Sequence, residues 1–209
     1  MKDINRIVAF GCSHTAGQGI FNNDTLPSNY AWPAHVAKIL NCKLNNQGEL
    51  GGSVKLCSYK ILNFKFKLND LVIICWPDHY RDTIIDRDGD LHTINPNVKS
   101  SKAKVYYRII PNENLEISNF MYPSLTNDYL THKNIKHLNL FVHKYKTLPK
   151  FTNGNEQLTI QHEKHLAFLD FTYKFLPDNT GDDGSHFNHI VHENYGKLVY
   201  KYLKNLYPN

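Results

Sequence analysis

The stretch IVAFGCSHTAG at residues 7–17 decides how this chain folds. Its first four residues form a short continuous apolar run that ends at Gly11, a pattern typical of a buried parallel strand. The small and polar residues that follow, up to about residue 29, predict a loop. Ligands of an open parallel sheet bind beyond the carboxyl ends of its strands. Ser13 is therefore expected where a ligand would bind, with an exposed hydroxyl and a free backbone N–H.

Apolar runs and helical repeats alternate downstream of this strand. Trp32-Pro33 begins a predicted helix that ends near Leu40, since proline suits the first helical turn. The patterns then predict a strand at residues 43–46, a helix at residues 53–67 and a strand at residues 71–76. Strands that alternate with helices indicate an α/β fold in which helices cover both faces of a parallel sheet.

The second half of the chain gives weaker patterns. Asp88-Gly89 lies between apolar pairs and predicts a β-hairpin at residues 83–94. Because a further strand is predicted at residues 105–110, we interpret residues 86–122 as a β-rich insertion in a single domain spanning residues 1–209. The remaining expectations are a helix at residues 125–145, no clear pattern at residues 147–175, and a last helix capped by Asn188.

A second polar loop, Asp183-Gly184-Ser185-His186, lies directly before the last predicted helix. A serine hydroxyl is a weak nucleophile until a base removes its proton, and the base needs a partner that holds its tautomer. In a tight turn, Asp183 would accept from one ring nitrogen of His186 while the other nitrogen faces Ser13. The alternative is an Asp that caps a helix beside a surface His.

A third loop, NQGELGG at residues 46–52, follows the second predicted strand. Its glycines let backbone N–H groups approach a ligand closely. Such groups stabilise the oxyanion of a tetrahedral intermediate, where the loss of one donor costs about 3 kcal/mol. A plain turn is the alternative here. For the loop at Ser13 the alternatives are a polar turn and a phosphate-binding loop, although the sequence lacks the Gly-Lys-Ser/Thr ending of the latter.

Together the three loops resemble the SGNH (GDSL-like) hydrolase family. The family's first block is matched by Phe10-Gly11-Cys12-Ser13-x-Thr15-x-Gly17, its second by residues 46–51 and its last by Asp183-x-x-His186. Ala31-Trp32-Pro33 before the first helix is also similar. The resemblance covers the first 81 or so positions and the C-terminal end of the chain, whereas residues 86–180 match no pattern of the family.

The resemblance implies a flavodoxin-like three-layer α/β/α fold with a central parallel sheet. It also implies an acyl-ester hydrolase of the esterase or O-deacetylase type, which needs no metal or other cofactor and acts on a small-molecule or carbohydrate ester. Carried over by position, Ser13 is the nucleophile and, through its N–H, the first oxyanion donor, and Gly51 is the second donor. His186 matches the base, and Asp183 matches its partner.

One feature of the family is absent from this chain. The third block supplies an Asn after the third strand, whereas residues 75–81 read CWPDHYR. Asp78 lies nearest to the Asn position, but an ionised carboxylate cannot donate to an oxyanion. Either His79, Arg81 or the indole of Trp76 substitutes, or the oxyanion hole has two members. In the second case we expect turnover to be lower by about 10²–10³-fold.

Two other functions fit part of the sequence. His186, His189 and His192 follow one another at helical intervals beside Asp182 and Asp183, which would suit a metal-dependent phosphoesterase. That function leaves the first and third loops unexplained, and we expect His189 and His192 to face solvent. A non-catalytic binding or structural protein on the same fold is the other alternative, because the third-block Asn is missing.

Composition and charge bear on the partners and the compartment. The net charge is +5, but the lysines are scattered, so no nucleic-acid partner is expected. The four cysteines form no CxxC pair and lie in apolar segments, which favours buried, reduced thiols. No apolar run approaches the roughly 20 residues of a membrane span, and residues 7–10 are too few for a signal peptide. We therefore expect a soluble protein of the cytosol, or of a virus that grows there; the sequence indicates no oligomeric state.

Overall fold

In the described part of the chain, helices follow the strands of a central sheet. A computed structural model describes residues 1, 3–21, 26–78, 80–96, 101–110, 112–142, 168 and 180–208. The strands β1 to β6 are Arg6–Gly11, Lys43–Gly48, Asp70–Trp76, Asp82–Ile85, Leu91–Ile94 and Lys136–Phe141. The described helices, α1 to α6, are Ser13–Ala16, Trp32–Leu40, Val54–Leu62, Ser101–Ile109, Asn112–His132 and His189–Leu206.

Four of the strands form a parallel sheet in the order β2-β1-β3-β6. All of β3 and nearly all of β1 are buried, because helices cover both of their faces, and such strands have continuous apolar sequences. Gly11 at the end of β1 pairs with Gly48 of β2 and with Cys75 of β3. The loops that carry Ser13, Gly51 and Arg81 therefore all begin at the carboxyl end of the parallel strands.

Helices on both faces of the sheet make the three-layer α/β/α arrangement that the resemblance implies, so that expectation is confirmed. Successive side chains of a strand point to opposite faces. Ile7 and Ile73 face the layer formed by α2 and α6, whereas Val8 and Ile74 face the layer formed by α3 and α5. The two remaining strands, β4 and β5, pair as the predicted antiparallel hairpin.

Several predicted bounds in the first half need correction. The predicted loop after β1 begins with the one-turn helix α1, and the second strand continues to Gly48. The helix predicted at residues 53–67 ends at Leu62. The chain leaves the helix there because Phe64 and Phe66 pack their rings against Phe10 of β1, at centroid distances of 5.5 and 6.4 Å.

The strand predicted at residues 105–110 is wrong, since this segment lies mostly in helix α4. Valine and tyrosine favour strands, but tertiary contacts override that preference here. The hydroxyl of Tyr107 donates to the carbonyl oxygens of Tyr80 and Ile94, at 2.6 and 2.9 Å, and Tyr106 donates to Asp82. Residues 86–122, which we interpreted as a β-rich insertion, are therefore mixed in secondary structure, because they contain β5, α4 and the first part of α5.

The helix predicted at residues 125–145 is also wrong beyond His132. Helix α5 ends there and β6 follows as the fourth strand of the sheet. Its apolar pattern is interrupted by His137 and Asn139, which are buried and hydrogen bonded to the Oδ1 of Asn127 at 2.8 and 2.9 Å. Residues 147–175 lie outside the described residues except for Phe168, which is buried.

The predicted cap of the last helix agrees with the structure. Asn188 caps α6, with its Oδ1 accepting the N–H groups of Ile190 and Val191. All four cysteines are free thiols; Cys12, Cys57 and Cys75 are buried as predicted, whereas Cys42 is only half-buried. No helix in the described part of the chain is long and apolar enough to cross a membrane.

Candidate active site

Ser13 is the first residue of α1, the single helical turn that follows β1. The turn ends at Gly17, whose positive φ of 79° suits glycine and whose N–H donates to the carbonyl oxygen of Ser13 at 2.8 Å. The sequence predicts an exposed hydroxyl, but only 3% of the residue is exposed. That prediction is wrong because the imidazole of His186 lies against the Ser13 hydroxyl.

The loop before α6 brings His186 and Asp183 to Ser13. Nε2 of His186 lies 3.0 Å from Oγ of Ser13, and Nδ1 lies 2.6 Å from Oδ2 of Asp183. Oδ1 of Asp183 accepts the backbone N–H groups of Ser185 and His186 at 3.0 and 2.9 Å. Because an ionised carboxylate only accepts, Nδ1 of the neutral imidazole donates to Asp183, and Nε2 is left to accept the hydroxyl proton of Ser13.

The charge of Asp183 is fixed by these hydrogen bonds. Burial raises the pKa of Asp183, but the N–H groups of His186 and Ser185 and the His186 ring outweigh it and lower the pKa to about 2. The carboxylate is therefore ionised across the neutral range. Such a carboxylate holds one tautomer of the imidazole and stabilises the imidazolium that forms when the ring takes a proton.

The two ends of the chain meet through a close approach of glycine backbones. The carbonyl oxygen of Gly19 accepts the N–H of Asp182 at 2.8 Å, and the N–H of Gly181 donates to the carbonyl oxygen of His186 at 2.5 Å. A Cβ at Gly19 would lie 2.8 Å from both Oδ1 of Asp183 and Cβ of His186. The role of Gly19 was not predicted from the sequence, although a second glycine two residues after Gly17 could have indicated it.

The loop after β2 is attached directly to the turn that carries Ser13. The Nδ2 of Asn46 donates to the carbonyl oxygen of Thr15 at 2.7 Å, while its Oδ1 accepts the N–H of Gly48 at 2.9 Å. The N–H of Glu49 donates to the carbonyl oxygen of Gly11 at 2.9 Å. These contacts hold the loop of Gly51 beside β1. The bracing role of the Asn46 side chain was not predicted.

The loop after β3 holds the candidates for the missing donor. The indole N–H of Trp76 donates to Oδ1 of Asn139 at 2.9 Å inside the core, so Trp76 is not the substitute. Oδ1 of Asp78 accepts the N–H of Tyr80 at 3.2 Å. His79 lies outside the described residues. Arg81 remains: its backbone N–H donates to the carbonyl oxygen of Asp78 at 3.3 Å, and its Nη1 is buried.

The histidines that suggested a metal site have other environments. His192 is fully buried rather than solvent-facing, and its Nδ1 accepts the backbone N–H of Trp32 at 3.2 Å. Burial, together with the charges of His35 and His186, lowers the pKa of His192 to about 3. His189 is partly exposed. Within the described ranges, no three His, Cys, Asp or Glu side chains form a group that could hold a metal ion.

Comparison with known proteins gives matches at the level of structure only. No protein-family model matches the sequence, and no curated protein is significantly similar to it. An acetyl xylan esterase from the rumen bacterium Butyrivibrio proteoclasticus superposes with a TM-score of 0.56 at 13% identity, covering 97% of this chain and 64% of that one. A GDSL-like lipase from Bacteroides thetaiotaomicron gives a TM-score of 0.52 at 12% identity, covering 99% of this chain and 91% of that one.

A second acetyl xylan esterase gives a TM-score of 0.52 at 13% identity, covering 95% of this chain and 99% of that one. Similarity at identities this low shows a shared fold but does not show a shared chemistry. The chain has the fold of the SGNH (GDSL-like) hydrolases, as its three loops predicted.

Proposed function

We propose that this protein is a serine hydrolase of acyl esters, of the esterase or O-deacetylase type, with a triad of Ser13, His186 and Asp183. The observation that carries the proposal is the hydrogen-bonded series that runs from Oγ of Ser13 through the His186 ring to Asp183. Ser13 and His186 are 173 positions apart in the sequence, so their contact is a product of the fold. A hydroxyl, an imidazole and a carboxylate in this order form the arrangement that activates a serine.

The first half of the reaction acylates Ser13. Nε2 of His186 takes the hydroxyl proton as Oγ bonds to the ester's carbonyl carbon, and the π electrons of the carbonyl move onto its oxygen. Asp183 stabilises the imidazolium. The N–H groups of Ser13 and Gly51 donate to the oxyanion. The bond to the alcohol oxygen then breaks, and the imidazolium gives its proton to the departing alkoxide.

The second half of the reaction returns the free enzyme. His186 removes a proton from a water molecule, whose oxygen attacks the acyl carbon and forms a second tetrahedral oxyanion. The bond to Oγ breaks as His186 returns the proton to Ser13, and the carboxylic acid leaves. Every proton in this sequence passes through Nε2 of His186, the atom that lies 3.0 Å from the serine oxygen.

Acyl esters of small molecules or carbohydrates are the proposed substrates. The names of two structural neighbours specify acetyl xylan and that of a third specifies a lipase. All three activities break the same ester bond and differ in the groups on either side of it. We therefore propose short acyl esters, with O-acetylated carbohydrates among them.

The test is hydrolysis of an aryl acetate in the presence of EDTA, combined with labelling by a fluorophosphonate. The wild-type protein should turn over the ester and be labelled at Ser13. Ser13→Ala should lose at least about 10⁴-fold in kcat/KM and all labelling, because the residual rate would come from binding and the oxyanion donors alone. Ser124→Ala on α5 is the matched control, expected to keep both. Full activity in Ser13→Ala would contradict the proposal.

Non-catalytic binding on the same fold is the competing function, and a carboxylate at position 78 instead of an amide donor is the observation that favours it. The two functions separate in the same experiment. A binding protein would give neither turnover nor labelling, yet would still bind an acylated sugar in calorimetry. Labelling of Ser13 excludes it, because the probe reacts only with an activated hydroxyl.

A further inference from the structure

The guanidinium of Arg81 has a buried donor without a partner. Arg81 is half-buried as a whole, and its Nη1 is buried and makes no hydrogen bond to any residue in the described part of the chain. A guanidinium stays charged in proteins and has five N–H donors but no acceptor. A buried charged donor left unpaired is costly, and proteins seldom retain one without a reason. An anionic oxygen from outside the chain would satisfy this donor.

The fold places Arg81 and Ser13 beyond the carboxyl ends of two neighbouring parallel strands. β3, which leads to Arg81, lies beside β1, which leads to Ser13. Two residues after Arg81, the hydroxyl of Thr83 lies 2.5 Å from the hydroxyl of Ser53, which closely follows Gly51. The chain just after Arg81 is therefore attached to the segment that follows Gly51.

The positive charge of Arg81 acts both on the serine loop and on Tyr107 of α4. Burial raises the pKa of Cys12, the residue before Ser13, and the charge of Arg81 acts on this thiol in the opposite sense. The carboxylates on either side of Arg81 in the sequence are engaged elsewhere: Asp78 accepts the N–H of Tyr80, and Asp82 accepts the hydroxyl of Tyr106. Neither is within ion-pair distance of the guanidinium among the described contacts.

We infer that Arg81 donates Nη1–H to the oxyanion that forms on the substrate's carbonyl oxygen, and that it is a catalytic residue. The inference rests on the proposed function and extends it, since it supplies the third donor that Trp76 and Asp78 do not provide. The charge on the carbonyl oxygen appears only as Oγ of Ser13 bonds to carbon. A charge-assisted hydrogen bond to it is therefore stronger in the transition state than in the substrate complex and raises kcat.

Arg81→Met tests this inference with an uncharged aryl acetate as substrate. We expect kcat to fall by about 10²–10³-fold with little change in KM, because the lost hydrogen bond is made only in the transition state. Arg81→Lys should recover part of the loss, since it keeps the charge but loses the planar fork. Arg87→Met, an exposed arginine at the hairpin turn, is the matched control and should match the wild type.

Arg81 could instead hold a permanent negative charge on the substrate. In that case Arg81→Met would keep its kcat on the neutral ester, and KM would rise only for an ester that carries a carboxylate; this result would overturn the inference. Circular dichroism and thermal unfolding establish that each variant is folded. If Arg81→Met does not fold, Arg81→Lys carries the test, and an unchanged kcat in that variant overturns the inference.

Failure of the inference is distinguishable from failure of the proposed function. Labelling of Ser13 and turnover by the wild type establish the proposed function independently of Arg81. If the wild type is active and Arg81→Met is fully active, the role of Arg81 is rejected and the proposed function is not. A wild type that is neither labelled nor active rejects the inference as well, because no oxyanion forms for Arg81 to stabilise.

Discussion

Asp183 uses both of its carboxylate oxygens to fix the position of one imidazole. Oδ1 binds the backbone N–H groups of Ser185 and His186, and Oδ2 binds the His186 ring. Its pKa of about 2 lies below the ordinary value, so its contribution to stability is present above about pH 4 and is lost as pH falls towards 2. Any change of activity in the neutral range therefore belongs to another group.

Gly19 lies against this pair, and its substitution tests whether the contact positions the His186 ring. Gly19→Ala would bring a methyl group to 2.8 Å from the Asp183 carboxylate and from Cβ of His186. We expect the loop to shift by a fraction of an ångström or more and kcat to fall by about 10²-fold, as displacements of this size do in active sites. Ester hydrolysis by folded protein measures the effect.

Gly89→Ala is the control for Gly19→Ala. Both glycines have φ near +85°, but a Cβ at Gly89 meets nothing within 4 Å. Both variants should lose about 1–2 kcal/mol of stability, because a left-handed conformation is unfavourable for alanine. Only Gly19→Ala should lose activity. Equal activity in the two variants would show that the Gly19 contact does not position His186.

At the scale of elements, β6 depends on a buried polar network rather than on apolar packing alone. The indole N–H of Trp76 in β3 donates to Oδ1 of Asn139 in β6, and Nδ2 of Asn139 donates to Oδ1 of Asn127 in α5. Each of these groups is buried and satisfied. The network therefore joins two strands of the sheet to the helix that covers them, at the edge where β6 lies beside β3.

Asn139→Leu tests this network. The leucine would leave the N–H of Trp76 without its partner and remove one donor from Oδ1 of Asn127, in a place where water does not reach. Asn127 Oδ1 keeps its contact with His137, so one group is left unsatisfied, and we expect a loss of about 1–3 kcal/mol in the free energy of unfolding. Urea unfolding measures it, with Asn63→Leu at the exposed end of α3 as the control. An unchanged midpoint would mean that the network contributes nothing to stability.

Some strands and site residues could be predicted from the sequence, and others could not. β1 and β3 were predictable because strands buried on both faces have continuous apolar sequences. β6 was not, since His137 and Asn139 interrupt its apolar run and only the tertiary partners of these residues make them acceptable in a core. Ser13, Asp183 and His186 were predictable from short motifs, whereas the contact of Gly19 with the Asp183 loop depends on two distant segments meeting.

The stability of the whole protein depends on His192, a buried histidine that the fold keeps neutral. His192 of α6 is completely buried against α2, with Nδ1 accepting the N–H of Trp32. Burial and the neighbouring charges of His35 and His186 lower its pKa from 6.5 to about 3. The unfolded chain binds a proton at this position below pH 6.5, while the folded chain does so only near pH 3. The contribution of His192 to stability is therefore complete above pH 6.5 and is lost progressively as pH falls towards 3.

His192→Asn separates this effect from the others. The Oδ1 of asparagine can replace Nδ1 as the acceptor for Trp32, and asparagine does not titrate in this range. Between pH 7 and pH 5, we expect the free energy of unfolding to fall by about 2 kcal/mol more in the wild type than in this variant. The difference accumulates at about 1.4 kcal/mol per pH unit over roughly the one and a half units below the unfolded pKa of 6.5. Urea titrations at the two pH values measure the difference. His132→Asn, at the exposed end of α5, should retain the wild-type dependence, and the same slope in all three proteins would mean that His192 titrates normally in the fold.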